Sequence, residues 1–322
     1  MNQEKINFKT ERDFGEIFNV SVKFLRQNFK LFFQSILFIA GPFVLISAVA
    51  GAFYQSHAIG LMSLTKLGQG NVFSRLKDQF GLPYFLFLLA GLVAGLIIVN
   101  TVYSFMINYN EKGHGGFTVN DVSKTVIKNL GNVISVFLVY TLFMILILVI
   151  IVGIVIGIIS AAPALGVLLI FLLIIGLLIL LPPIMWQLSA IYIVKMTEER
   201  GIFESFGRTR DVMRGNFWWT WVIIVCALIG VGLAGVIFAL PQGIYQMVLM
   251  FSRLKGGADE VSISFLIVAT LCTFCTTILY SVLYVVFGFH YFSLAEKKDG
   301  LGLLERINEI GTISDNNVEQ QY

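Results

Sequence analysis

Residues 133–194 read VISVFLVYTLFMILILVIIVGIVIGIISAAPALGVLLIFLLIIGLLILLPPIMWQLSAIYIV, with no Asp, Glu, Lys or Arg among them. An apolar run of roughly sixty residues is about three times what one helix needs to cross a bilayer. Near its middle lies Ser160-Ala161-Ala162-Pro163, small residues followed by a proline that ends one helix and can open the next. The run therefore reads as two spans joined by a tight turn. Pro182-Pro183 removes two backbone donors from the second span and predicts a kink there.

Outward from this hairpin the same charge-free pattern recurs. Six spans result: Leu31–Phe53, Leu82–Ile107, Val133–Ile158, Leu165–Val194, Phe217–Leu240 and Phe265–Phe289. Every one of the 22 Lys and Arg and 19 Asp and Glu lies between these spans or at the chain ends. With 13% charged residues and a mean hydropathy of +0.85, the chain is far from the roughly one quarter charged of soluble proteins. The predicted class is an all-α polytopic membrane protein. The first thirty residues are polar and charged, so the first span is expected to insert as an uncleaved anchor. A net charge of +3 gives no reason to expect a nucleic-acid partner.

The basic residues set the orientation. Seventeen Lys and Arg fall in the two termini and the loops after spans two and four, against five in the remaining loops: Lys66, Arg75, Lys77, Arg253 and Lys255. The positive-inside rule then puts both termini in the cytoplasm.

Segments preceding the odd-numbered spans resemble one another. Phe14–Phe29, Phe117–Val133 and Ile202–Phe217 each end in an asparagine followed by an apolar residue, at Asn28, Asn132 and Asn216, and seven residues earlier carry Ser21, Thr125 and Thr209. Each has a helical apolar face: Phe14, Ile17, Phe18, Phe24 and Leu25; Val119, Val122, Val126 and Leu130; Phe203, Phe206 and Met213. Thr10-Glu11-Arg12-Asp13 and Thr118-Val119-Asn120-Asp121 have capping-box spacing. Phe73–Lys77 is repeated letter for letter as Phe251–Lys255. The expectation is three repeats, about residues 13–110, 117–198 and 202–296, each an interfacial helix plus a helical hairpin. Because each contains two spans, the copies share one orientation, and a pseudo-threefold axis along the membrane normal follows. Residues 1–310 then form one membrane domain, and 311–322 a disordered cytoplasmic tail. Glu296–Ile307 resembles the stretch from Glu198 to Glu204 and reads as the start of a fourth interfacial helix.

The stretch Gly201–Arg210, continuing through Met213-Arg214-Gly215-Asn216-Phe217-Trp218, resembles the signature before a span in bacterial multi-span inner-membrane proteins. The chain as a whole is similar to the membrane domain of glycerophosphoryl diester phosphodiesterases. That resemblance implies a cell-inner-membrane protein without the family's reaction, which resides in a separate soluble barrel opening with His-Arg-Gly. Here His57 precedes Ala58, His114 precedes Gly115 and His290 precedes Tyr291.

The remaining chemistry is sparse. Cys272 and Cys275 form a CxxC inside span six, where apolar packing is the expected role, and Cys226 stands alone in span five. Three dispersed histidines and no carboxylate within the spans point to neither metal nor cofactor, and no nucleophile and base can be nominated, so no enzymatic activity is expected. Basic residues on the interfacial segments, namely Lys23, Arg26, Lys124, Lys128, Arg208, Arg210 and Arg214, are candidates for binding anionic phospholipid headgroups. A nonenzymatic, lipid-interacting membrane factor is thus the first functional expectation. The alternative is a small-solute or ion transporter or channel, with a polar path through Asn100, Gln187 and Thr273. Gly91 with Gly95, and Gly153 with Gly157, have the spacing of close helix packing.

Overall fold

The computed structural model describes residues 5–61, 80–198, 200–254, 262–300, 302 and 304. Lys66, residues 73–77, Lys255 and the segment 311–322 lie outside the described residues, as do residues 301, 303 and 305–307 of the expected fourth interfacial helix, whose first four residues, Glu296 to Asp299, are the end of the last helix. Among the described residues the chain is all-α. Its elements are α1 (Phe14–Ser35), a π-helical turn (Ile36–Ala40), α2 (Gly41–Leu61), α3 (Leu82–Lys112), α4 (Val119–Ala161), α5 (Pro163–Thr197), α6 (Ile202–Met213), α7 (Phe217–Leu254) and α8 (Ile263–Asp299). With α1, the π turn and α2 forming one continuous rod, six helices are long and apolar enough to cross a membrane. The protein is a multi-pass membrane protein.

Local chemistry accounts for the boundaries. The α4–α5 turn narrows to Ala162 alone, with Pro163 at the first position of α5, where its missing N–H removes no helical bond. Pro42 lacks the donor that a regular helix would use, and the preceding π turn accommodates it, with the Gly41 N–H donating to the Ile36 carbonyl. Helix α5 runs through Pro182 and Pro183 without losing its helical assignment.

Two expectations about the repeated segments need correction. The N-cap of α1 is Asp13, not Thr10: the Asp13 carboxylate accepts from the Glu16 N–H at 2.9 Å, and the Glu16 carboxylate accepts from the Asp13 N–H at 3.0 Å. Thr118 and Asp121 do form the expected capping box on α4. Of the three segments, only α6 is a separate helix, broken from α7 at Gly215 (φ 83°) and Asn216. The first continues into its span with a local distortion at Asn28 (φ −111°, ψ 15°), and the second is unbroken through Asn132. Gly215 tolerates the left-handed backbone of the elbow, but the same Gly-Asn pair at Gly131-Asn132 stays helical, so the pair permits a break without forcing one. On α6 the buried face is Ser205, Thr209 and Val212, while Phe203 of the expected apolar face points outward at 80% exposure.

The helices form three hairpins, α2 with α3, α4 with α5, and α7 with α8. Between hairpins, α4 packs on α3, α7 on α5 and α2 on α8, while α3, α5 and α8 touch one another. Gly288 permits a close approach of α8 to α3, since a β-carbon there would sit 2.8 Å from the Met106 side chain. The bundle has two unlike ends. At the proximal end, which carries the amino-terminal segment and the last turns of α3, α5 and α8, buried residues crowd together: Ile97–Met106, Ser189–Val194 and Val285–Tyr291. At the distal end, α4 buries no residue from Thr141 to Ser160. Gly91 meets Ser47 of α2, but among the described residues Gly95, Gly153 and Gly157 have no neighbour within 4 Å, so the expected close packing is seen at Gly91 alone.

Candidate functional site

At the proximal end the chain begins with an irregular strap, residues 5–13, laid across the ends of α3 and α8. Phe8, 2% exposed, seats its ring among Tyr109, Phe289, Phe292 and Phe24 at centroid separations of 5.9, 5.1, 5.0 and 6.3 Å. Hydrogen bonds fix the strap on both sides. The Lys5 Nζ donates to the Asn110 carbonyl at 2.5 Å and the Ile6 N–H to the Tyr109 hydroxyl at 3.1 Å. Ser293 Oγ accepts from the Arg12 N–H at 2.9 Å and donates to the Arg12 carbonyl at 3.1 Å. The Arg12 guanidinium donates back to the carbonyls of Asn7 and Thr10 and lies 5.7 Å from the Phe289 ring centroid. Burial pushes its pKa down, with Glu16 opposing the shift.

Beside the strap lies a partly open cavity of about 920 Å³, within the size range of small-molecule sites. One wall is an ion cluster. Arg208 of α6 donates to Asp299 at the end of α8 through both terminal nitrogens and to Glu198 after α5, at 3.3 Å. Glu198 also pairs with Arg200 at 2.7 Å and accepts from the Tyr291 hydroxyl at 2.5 Å. The hydrogen-bonded Asp299 carboxylate is the main reason the Arg208 pKa is raised. Further lining comes from α4 and the end of α3, with Thr125, Lys128, Asn129, Asn132, Asn110 and Glu111. Among the described residues, no group of three or more His, Cys, Asp or Glu is placed to hold a metal ion.

The seven basic candidates divide. Lys23, Arg26, Lys124, Lys128, Arg210 and Arg214 are exposed, and among the described residues none has a side-chain hydrogen bond or ion pair. Arg208 differs, its side chain 11% exposed and held by two carboxylates. Arg210 and Arg214 share a second hollow, of about 540 Å³, with Met213, Gly215 and Phe217. Lys128 alone of the six lines the larger cavity.

The polar-path candidates are not brought together at either cavity. Asn100 is fully buried; its amide donates to the Val126 carbonyl at 2.9 Å and its oxygen accepts from Ser104 Oγ at 3.3 Å, fastening α3 to α4. Gln187 and Thr273 are half-buried, and neither cavity touches any of the three. Cys226, Cys272 and Cys275 are free thiols. The strap, the carboxylates of the ion cluster and the joint polar face of α4 were not singled out in the sequence, although Thr125, Lys128, Asn129 and Asn132 stand at the helical spacing that would have revealed that face.

No family model, curated protein or solved structure matches the chain.

Proposed function

We propose that this protein is a nonenzymatic factor of the bacterial cell inner membrane that engages anionic phospholipid headgroups through basic residues at its proximal, cytoplasmic end. The observation that carries this reading is the contrast in partners there. The carboxylates of Glu16, Asp121 and Glu204 are engaged at helix starts and Lys124 is coupled electrostatically to Asp121, whereas among the described residues the exposed, unpaired cations Lys23, Arg26, Lys128, Arg210 and Arg214 outnumber the unpaired acids Glu111 and Asp211 beside them. Each such cation near an anionic bilayer surface contributes about 1 kcal/mol. Exposed Phe203, Trp218 and Phe29 on the same elements supply the aromatic contacts favoured at a membrane interface. The excess of Lys and Arg in these segments supports the cytoplasmic orientation.

The architecture behind this reading is three repeats about a pseudo-threefold axis. Its support is the cyclic order in which α4 follows α3, α7 follows α5 and α2 closes onto α8, together with the recurring Asn28, Asn132 and Asn216. The resemblance to the membrane domain of glycerophosphoryl diester phosphodiesterases agrees with that plan and brings no reaction with it.

Native mass spectrometry from mixed phosphatidylglycerol and phosphatidylethanolamine tests the reading. Replacing Lys23, Arg26, Lys124, Arg210 and Arg214 by Gln is expected to abolish preferential retention of phosphatidylglycerol while the melting temperature stays unchanged. Equal retention by a folded variant would sink the proposal. The second reading, a small-solute or ion transporter or channel, is favoured by the cavity of about 920 Å³, and solute flux in liposomes is its test.

A further inference from the structure

The polar face of α4 holds donors that the fold does not use. Thr125, Lys128, Asn129 and Asn132 stand at relative positions i, i+3, i+4 and i+7, and all four line the larger cavity. Thr125 is engaged: its hydroxyl donates to the Asp121 carbonyl and accepts from the Asn108 amide at 2.9 Å. The other three are not. Asn129 is only 7% exposed, and among the described residues its side-chain amide has no hydrogen-bond partner, nor does that of Asn132 or the Lys128 ammonium. The fully buried polar atoms left without a partner lie elsewhere, on residues such as Tyr192 and Ser281, so the Asn129 amide opens into the cavity, where its hydrogen bonds are available to water or to a ligand. On the adjoining α3, Glu111 lines the same cavity and is likewise unpaired among the described residues. The ion cluster that also lines the cavity differs, because Arg208, Glu198, Asp299, Arg200 and Tyr291 are already paired with one another.

The unused groups define a chemistry. An ammonium and two primary amides present a set of N–H donors from one helix face, and the non-bridging oxygens of a phosphate mono- or diester accept charge-assisted hydrogen bonds from such a set. The neighbouring carboxylate calls for a cationic group on the same molecule. We propose that the proximal cavity binds a zwitterionic phosphate ester, with its phosphate on Lys128, Asn129 and Asn132 and its ammonium at Glu111. The ester is either the headgroup of a phosphatidylethanolamine-type lipid or a soluble phosphoethanolamine. This site is separate from the exposed cations at Arg210 and Arg214, and goes beyond the attraction of anionic lipid proposed for them.

The test uses the full chain in a neutral detergent, titrated calorimetrically with O-phosphoethanolamine, dihexanoyl phosphatidylethanolamine and inorganic phosphate. At least one of the two esters is expected to bind more tightly than inorganic phosphate. Asn129→Leu combined with Asn132→Leu weakens that binding tenfold or more. Glu111→Gln weakens the ester but leaves inorganic phosphate unchanged, and Arg210→Gln with Arg214→Gln changes neither. Binding of the soluble ester identifies a solute site; binding of the lipid alone identifies a headgroup site. The proposal is overturned if neither ester binds, if inorganic phosphate binds as well as both, or if the folded double asparagine variant binds like the wild type. Should that variant fail to fold, Asn110→Cys, a lining position with no assigned contact to the ester, decides, read against the wild type as blank: protection from a membrane-impermeant maleimide by whichever ester binds supports the site, and unchanged labelling overturns it.

Discussion

The two ends of the α4–α5 hairpin are built from similar residues and live in different surroundings. Its proximal ends are fixed by Val122, Val126, Val133, Val136, Tyr140 and Trp186, all buried. Its distal part is exposed almost all round: the most apolar stretch of α4 is 0% buried within the protein, whereas that of the α1–α2 rod is 44% buried. The difference teaches that hydropathy reports where a helix runs, not what it packs against. In a bilayer, lipid covers Leu148 as readily as a neighbouring helix would, so association depends on shape and polar bonds instead. Those are concentrated at the proximal end, in the strap, the ion cluster and the Asn100 bond between α3 and α4.

Mutations can break or sharpen that contrast. The largest effect is expected from Phe8→Ala, which empties a socket of four rings and should cost about 3–5 kcal/mol, read as a fall in the detergent melting temperature. Leu148→Ala, on the exposed distal hairpin, should leave it nearly unchanged; equal losses in the two variants would abolish the distinction. Next comes Arg208→Gln, which strands Asp299 and Glu198. Those groups are partly exposed, with 27% and 24% of their side-chain surface accessible, so a loss of about 1–3 kcal/mol is expected, below that of a fully buried pair. A double-mutant cycle with Asp299→Asn isolates the coupling; additive losses would mean that the ion pair contributes nothing. Asn100→Ala should cost about 1–2 kcal/mol by removing a buried bond to the Val126 carbonyl, with denaturant unfolding as the measurement. At the small end, Gly153→Ala with Gly157→Ala meets no neighbour among the described residues and should raise stability by a few tenths to about 1 kcal/mol per site through helix propensity. A clear destabilisation there would expose a packing partner for the distal hairpin.

The spans were legible in the sequence because exclusion of charge over some twenty residues is a property of composition. The turn at Ala162-Pro163 was legible because proline chemistry is local. Helix starts were less so. Thr10 and Asp13 have the same spacing as Asp13 and Glu16, and only the backbone decides which pair caps. Residues 5–13 have no periodicity to read, and the strap's partners at Tyr109 and Ser293 are remote in the chain. Arg208 carried a visible charge, but Glu198 and Asp299, which turn it inward, become its neighbours only when α5, α6 and α8 meet. The face of α4 was present letter by letter: Thr125 and Asn132 were visible as repeat markers and Lys128 as a surface cation, and only the cavity unites them with Asn129.

The strap also orders events in time. Arg12 is bonded to a serine 281 residues later in the chain, and Ile6 to a tyrosine 103 residues on. Synthesis runs from the amino terminus, so the strap is made well before its seat on α8. Phe24 and Tyr109 can cover one side of Phe8 early, but the side that meets Phe289 and Phe292 stays open until α8 arrives, so the strap closes in two stages.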